Sequence, residues 1–519
     1  MEISSLARTL RLQEDVNRIK ARQDDLGRQL VTGKKTETYG ALGPDAAVVL
    51  SLRDQISAKK GYVKTMELGP DAAVVLSLRD QISAKKGYVK TMELVNLRLE
   101  IQSAAATRFD EISSTLKTES LTTTFKLTGN GQTQLQLNAA SQFDEIISLL
   151  NTELEGRQLF GGADTSGAPV ALPDLILNGD STHAGLKQFI TERSQADLGA
   201  DNRGRLTLGV VGSTFSVEED AAPSVFGSKL VGAVSNLQGT TVTGPAGVPP
   251  KLDVAFSASL PQQGEKITFE FTLPDGTKEN FELTATSIAP AGEGQFLIGA
   301  DAATTATNFN AAFDTALQEF TKTTVKAASA SEAANNFFES NPPQRVNGAP
   351  FTAATSLVDG TSTNSVIWYS GDSSNRPAAL AKIGDNETVA YGVRADDSSI
   401  VSLLKTTALL SVTSFATDTA EDSKHYAELV ERVADTVSFK GKRSPLDALM
   451  EMGFLQAKID GAKQQANTSI SVQQSIVDER ENADSFDVGA RLSVIQTQLQ
   501  AAYQVTARVN SLSLLDFLR

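Results

Sequence analysis

Cysteine is absent from this chain of 519 residues, histidine occurs twice, tryptophan once, and aromatic residues make up only 6% of the whole. Without cysteine there are no disulfides, no thiolate metal sites and no cysteine nucleophiles. His183 and His425 alone leave almost no material for a multi-histidine metal centre or a Ser-His-Asp triad. So thin an aromatic content argues against one dense globule. It favours long helices packed through Leu, Val, Ile and Ala, joined to smaller β-rich modules. No window approaches the roughly 18 uninterrupted apolar residues of a membrane-spanning helix. The opening MEISSLARTLRLQEDVNRIK also lacks the basic, apolar and small-residue regions of a cleaved secretory signal. A soluble protein, cytoplasmic or exported without such a signal, is expected.

The charges that are present lie unevenly. Residues 1–100 hold 17 Lys and Arg against 13 Asp and Glu, which leaves 30 against 49 in the remainder of a chain whose net charge is -15. An acidic body without a basic stripe has no counterion-release drive toward nucleic acid, so no nucleic-acid partner is expected. At roughly 100 to 200 residues per domain the length implies about three or four domains.

One internal repeat stands out. Residues 43–68, GPDAAVVLSLRDQISAKKGYVKTMEL, recur unchanged at 69–94. Two identical copies fit a tandem duplication better than a solenoid, which needs several related copies. An uninterrupted helix advances about 100° per residue, so 26 residues rotate its apolar face by about 80°. Gly69-Pro70 offers a stop and a fresh start. One copy is therefore expected as an extra helical segment or loop, with Asp45 and Asp71 near helix starts.

Both ends carry narrow seams. Leu6, Leu10, Leu12, Val16, Ile19, Leu26 and Leu30, with Gln23 between, step by four and three from Leu12 onward. Val488, Leu492, Ile495, Leu499, Ala502, Val505, Val509, Leu512 and Leu515 do the same at the other end. Such spacing is that of a coiled-coil seam rather than of a helix lying on a globular core. Helix is also expected through VNLRLEIQSAAATRFDEISSTLKTES to about Ser120, a hairpin in TTTFKLTGNGQTQLQL, and a helix with Phe143, Ile146, Ile147, Leu150 and Leu154 on one side. From about Ala163 to about Lys424 the chain is rich in Gly, Ala, Thr and Ser. There KITFEFTLPDGTKENFELTAT reads as two strands about Asp275-Gly276, ATNFNAAFDTALQEFTKTT as an amphipathic helix, and SVIWYSGD and ETVAYGVRADD as strands. Ser444-Pro445-Leu446-Asp447 combines an N-cap, an N1 proline and an acid at N3, opening two long helices with a break near 482–487.

The fold class expected is α+β and multidomain, the N- and C-terminal helices forming a coiled-coil or bundled rod with β-rich modules inserted. The divisions are 1–40, a polymerisation helix; 41–162, a helical rod segment holding the duplication; 163–424, β-rich outer modules; and 425–519, the C-terminal rod and terminal helix. No catalytic, cofactor or metal site is assigned. Asp396-Asp397 and Glu218-Glu219-Asp220 are the acid groupings in principle available to glycoside hydrolysis and read better as loop or turn acids. Gly161-Gly162 and GNGQ at 129–132 lack the Lys-Ser/Thr of a phosphate loop. Lys440, Lys442 and Arg443 read as loop charges.

Several stretches resemble the flagellin superfamily, and within it the hook-associated branch. They are the MEISS run, QLVTGKK at 29–35, GRQLFGG at 156–162, YGVRADD at 391–397 and DVGARLSVIQTQLQAAYQVTARVNSLSLLDFLR at 487–519, within roughly the first 160 and last 130 residues. The LSLLDFL ending is similar to the hook-associated branch, whereas filament flagellins more often end in a shorter LSLL-type tail. The duplication and the ATRFDEISSTLKTES stretch depart from the family pattern. The resemblance implies a structural, non-enzymatic subunit of the bacterial flagellum, outside the cell, exported without a cleaved signal. It implies partners in copies of itself, in other flagellar axial proteins and in an export chaperone, with no cofactor and no membrane insertion. The assembly interface would be Leu6, Leu10, Val16, Ile19, Leu26, Leu30, Val488, Leu492, Ile495, Leu499, Val505, Val509, Leu512 and Leu515. Filament flagellin is the close alternative, and a secreted adhesin or glycan-active enzyme on a coiled-coil stalk the distant one.

Overall fold

The computed structural model describes residues 70–481 apart from 130, 221–223, 373–378 and 416, together with a few positions between 490 and 504. The chain divides into two compact units, Met1–Gly87 with Ala466–Arg519, and Tyr88–Gln465. The fold is mixed α+β.

Helix α1, Pro70–Thr122, contains the whole helical part of the second repeat copy and continues from it without a break. Proline at the first position loses nothing, because that N–H has no intrahelical partner. Asp71 follows it at the helix start; the first copy, with Asp45, lies outside the described residues. Within the larger unit Met92, Val95, Leu99, Gln102, Ala106 and Phe109 are all buried, in alternating steps of three and four with one polar residue among them.

The expected hairpin at 122–137 is not formed. A tight turn does occur, Thr128 N donating to Gln132 O at 2.8 Å, but the following QLQL is the first turn of helix α2, Gln134–Leu150. Thr133 and Gln136 form a capping box: Thr133 N donates to Gln136 Oε1 at 2.9 Å and Gln136 N to Thr133 Oγ1 at 3.3 Å. That T-x-x-Q signal outweighs the local alternation. Phe143, Ile146, Ile147 and Leu150 are buried as expected. Leu154 is not on the helix but in β1, Glu153–Leu154, which turns through Glu155-Gly156, both at positive φ, into β2, Arg157–Gln158.

Short helices α3, Pro173–Asn178, and α4, Leu186–Leu198, precede the β-rich part. There β3 (Leu206–Val211), β4 (Thr214–Glu219), β6 (Thr240–Ala246) and β7 (Lys251–Phe256) form one antiparallel sheet in the order β3-β4-β7-β6. The second sheet has the order β10-β9-β8-β5, from β5 (Lys229–Ser235), β8 (Lys266–Thr272), β9 (Lys278–Thr286) and β10 (Gln295–Leu297), with only β10 parallel to its neighbour. Strands β8 and β9 are the KITFEFT and KENFELTAT runs, joined about Asp275-Gly276 as expected, with Gly276 at φ 79°. Helix α5, Ala302–Phe320, buries Phe309, Phe313, Leu317 and Phe320 against both sheets. Rare in the chain at large, aromatics gather here: Phe215, Phe256, Phe269, Phe271, Phe281 and Phe296 join them in one cluster.

One π-helical turn, Thr321–Val325, leads into α6, Lys326–Glu339. Two strand pairs follow, β11 (Gln344–Val346) with β12 (Leu357–Asp359) and β13 (Ala379–Lys382) with β14 (Thr388–Tyr391). The expected strand in SVIWYSGD reduces to isolated bridges at Ser365 and Tyr369. Its neighbour on the Tyr369 side carries Pro169, which has no N–H to extend a ladder. Three helices follow: α7 (Ser398–Val412), α8 (Ala420–Thr436) and α9 (Pro445–Glu481). The start of α9 is as read, Ser444 N donating to Asp447 Oδ2 at 2.8 Å and Asp447 N to Ser444 Oγ at 3.2 Å. The expected break at 482–487 lies outside the described residues.

The region 163–424 is thus less purely β than its composition suggested, since α4, α6 and α7 lie within it. Helix α7 is buried on all sides, from Ser399 to Leu410, and a helix with no solvent face shows neither the helical nor the strand period. Among the described residues no helix is long and apolar enough to cross a membrane.

Candidate assembly interface

All fourteen seam residues singled out for assembly, from Leu6 to Leu30 and from Val488 to Leu515, lie outside the described residues. What the structure describes is a pair of helical segments, one beginning forty positions after the N-terminal seam and one ending seven positions before the C-terminal seam. In the smaller unit residues 70–87 of α1 and 466–481 of α9 run antiparallel. Gln473 Nε2 donates to Gln81 Oε1 at 2.7 Å, and Lys85 Nζ to Ser469 Oγ. Val75, Ile82 and Val477 are buried between them, with Leu78 and Ile470 beside them. This is a small core for two helical segments, which gain most of their stability from packing rather than propensity. Val74 and Val472 remain 42% and 56% exposed.

In the larger unit α1 and α9 again run antiparallel, Asn96 Nδ2 donating to Asp460 Oδ1 at 2.6 Å and Lys463 pairing with Glu93 at 3.1 Å. Ala448, Met452 and Ile459 form the buried face of α9. On α1, the two motifs GRQLFGG and YGVRADD, more than two hundred residues apart, meet. Gln102 Nε2 donates to Leu159 O at 2.7 Å and to Val393 O at 3.1 Å. Arg98 Nη1 donates to Tyr391 OH at 2.8 Å, and Ala395 N to Phe160 O at 3.0 Å. The glycines are there for close approach. A Cβ on Gly162 (φ 71°) would stand 2.9 Å from Arg394 Cδ, and one on Gly392 (φ 87°) 3.0 Å from Gln102 Oε1. Gly392→Ala is therefore expected to cost more than about 1 kcal/mol, since it adds left-handed strain to a contact; thermal unfolding at neutral pH measures it, and an unchanged midpoint would contradict the contact.

Sequence reasoning marked both motifs but neither Arg98 nor Gln102. The available signal was Gln102 itself, a polar residue in an apolar seam, as Gln23 is in the N-terminal one.

Four of the five acids considered for chemistry have structural partners. Asp396 pairs with Arg394 at 2.8 Å, and Asp397 caps α7, accepting from Ser399 N at 3.0 Å. Glu219 accepts from Leu230 N at 2.8 Å and Asp220 pairs with Arg205 at 2.5 Å. Burial raises Asp396 above the ordinary carboxylate range, Arg394 opposing. His183 sits in an exposed turn with its Nδ1 2.8 Å from Asp180. His425 is buried on α8, and neither ring nitrogen has a hydrogen-bond partner. Of the basic residues read as loop charges, Lys440 pairs with Asp435 and Arg443 with Glu451. No group of acidic or histidine side chains with metal-ligand spacing occurs among the described residues.

No protein-family model matches the chain, and no curated protein or solved structure matches it.

Proposed function

We propose that this chain is a structural subunit of the bacterial flagellum that polymerises through its terminal helices, at the junction between hook and filament. The observation that carries the reading is the antiparallel pair 70–87 and 466–481. It joins segments from opposite ends of the sequence around a core of three buried aliphatics; residue 481 stands seven positions before the C-terminal seam, and residue 70 forty positions after the last residue of the N-terminal one. The seams supply the missing apolar surface. At roughly 1.5 to 3 kcal/mol per fully buried aliphatic side chain, the nine positions of the C-terminal seam contribute about 13 to 27 kcal/mol gross, much of it offset by ordering. Packing between neighbouring subunits is then what orders the ends, and a heterologous contact that does not close on itself builds a tube. The meeting of GRQLFGG and YGVRADD on one helix supports the same reading, because both carry the flagellin resemblance.

Copies of the same chain, other axial proteins and an export chaperone are the partners in this proposal, and the site of action is outside the cell. Removing residues 488–519 is expected to leave a secreted monomer unable to assemble, read by sedimentation of culture supernatants; normal assembly by the truncated chain would overturn the mechanism. Antibody labelling is expected as a single ring at the hook tip, and loss of the gene is expected to leave hooks that shed flagellin monomers. Label along the whole filament would instead make the chain the filament subunit.

A further inference from the structure

Asparagine followed by glycine is the pair at which a peptide chain most readily attacks itself, because glycine puts no side chain beside the attacking nitrogen and the carboxamide is held within its reach. The sequence has three such pairs, Asn130-Gly131, Asn178-Gly179 and Asn347-Gly348. The fold treats them differently.

Two are restrained at the attacking nitrogen. Gly131 N donates to Thr128 O at 3.1 Å, and Gly179 N, just past the end of α3, donates to Leu175 O at 2.9 Å. At the second pair the carboxamide is held as well, Asn178 Nδ2 donating to Asp174 Oδ1 at 2.7 Å. Both backbones are hemmed in: a Cβ on Gly179 would stand 2.2 Å from His183 O, and one on Gly131 3.1 Å from Phe415 O. The third pair opens the loop between β11 and β12. There Asn347 and Gly348 are exposed, Gly348 N has no acceptor among the described residues, and a Cβ on Gly348 would meet nothing within 4 Å. Asn347 Nδ2 donates to Ser356 Oγ at 3.2 Å, a contact between two exposed side chains that water can replace.

We propose that Asn347 is a site of spontaneous modification in the folded protein, converted through a cyclic imide to aspartate and isoaspartate. Gly348 N gives its proton to hydroxide and attacks Cγ of Asn347; the N–Cγ bond forms, the Cγ–Nδ2 bond breaks, and ammonia leaves with a proton taken from water. A second water then opens the imide. Cleavage of the new N–Cγ bond leaves aspartate, and cleavage at the main-chain carbonyl leaves isoaspartate, with the chain running through the side-chain carbon. Nothing is oxidised or reduced. Either product adds a negative charge to a chain whose net charge is already -15. The loop is held on either side of the altered bond, by Asn347 N donating to Ser356 O at 3.0 Å and by Arg205 donating to Thr352 O and Ala354 O at 2.6 and 2.8 Å. Neither anchor uses that bond, so the product keeps its fold. The site is independent of the assembly reading and does not require it.

The experiment incubates the full chain in mildly alkaline buffer, folded and in urea, and follows the three asparagines by peptide mapping. In the folded chain Asn347 is expected to convert first. The other two are expected at least about fivefold behind, since a hydrogen-bonded backbone N–H must be freed before it can lose its proton. In urea, where those bonds are gone, the three rates are expected to converge. Asn347→Gln, whose longer side chain closes a ring more slowly, is expected to suppress the early acidic species seen by isoelectric focusing; should that variant not fold, the peptide map of the unsubstituted chain decides. Three results would each overturn the proposal: Asn347 stays unchanged or trails another pair in the folded chain, it leads by the same margin in urea, or the glutamine variant turns acidic as fast as the unsubstituted chain.

Discussion

Arg432→Met is expected to lower the unfolding free energy of the larger unit by about 3 to 5 kcal/mol at pH 7, the loss usual when one partner of a buried ion pair is removed. Arg432 on α8 and Asp275 at the tip of the β8–β9 hairpin have side chains only 8% and 5% exposed, 2.9 Å apart. Burial pulls the Arg432 guanidinium down, but Asp275 and Glu428 more than offset it and hold it above its ordinary value. Methionine keeps the stem and its packing while leaving the Asp275 carboxylate without its cation. Thr277 N and Oγ1 still donate to the other oxygen, at 3.1 and 2.6 Å, which is not enough to replace a charge. Adding Asp275→Asn is expected to restore part of the loss, because an amide costs less to bury than an unpaired carboxylate. Denaturant unfolding of the single and double variants measures both; a loss under about 1 kcal/mol for Arg432→Met would show that the hairpin tip is not anchored through this pair.

His425→Phe is expected to change little at pH 7 and to protect the protein strongly in acid. Burial holds the His425 imidazole down to about 3 from an ordinary 6.5; Lys326 and Arg432 push the same way and Asp422 opposes. The unfolded chain therefore takes up a proton that the folded chain refuses. The contribution is fully present above about pH 6.5 and is lost as the pH falls through the window from 6.5 to about 3. Its slope approaches about 1.4 kcal/mol per pH unit, so by pH 4 the loss from this residue is on the order of 3 kcal/mol. Phenylalanine removes the titrating group without breaking a hydrogen bond, because neither ring nitrogen makes one, and the site is already aromatic, with Phe415 5.3 Å away edge to face. Urea unfolding of both proteins from pH 7 to pH 4 gives the difference directly, other acid-labile groups being common to the two. Parallel curves would mean that the folded imidazole protonates as readily as the unfolded one.

Both sites show where sequence reading stops. Asp275-Gly276 is legible as a turn, and the hairpin forms where the pattern puts it. That the turn's aspartate lies against an arginine 157 positions later on another element has no local signature. His425 reads from sequence as an ordinary histidine in a polar stretch. Its burial follows from which face of α8 packs on α6 and the π-helical turn, and that face is set by tertiary contacts.

The candidate interface divides in the same way. The steps of three and four mark an apolar seam in α1 as they do at the termini, and YGVRADD and GRQLFGG are visible as motifs. Their meeting at Gln102 is not visible. The QLQL error has a related cause: four residues of alternation fit a strand, but a Thr-Gln pair three apart satisfies two backbone donors at once and starts a helix.

By itself the sequence determined the features governed by interactions within a few residues of each other. These are the proline start of α1, the reciprocal Ser444–Asp447 cap of α9, the alternation of β8 and β9 about Asp275-Gly276, and the phenylalanine stripe of α5. Each rests on backbone hydrogen bonding or side-chain period, and neither needs knowledge of the rest of the chain. Tertiary structure alone decided that α7 is a helix buried on every side, that two distant glycine-bearing motifs share one glutamine, and that Arg432 and Asp275 neutralise each other out of water. The reason is that burial removes the solvent face that gives a helix its readable period, and an ion pair or shared carbonyl partner is selected by distance in space, which sequence separation does not encode.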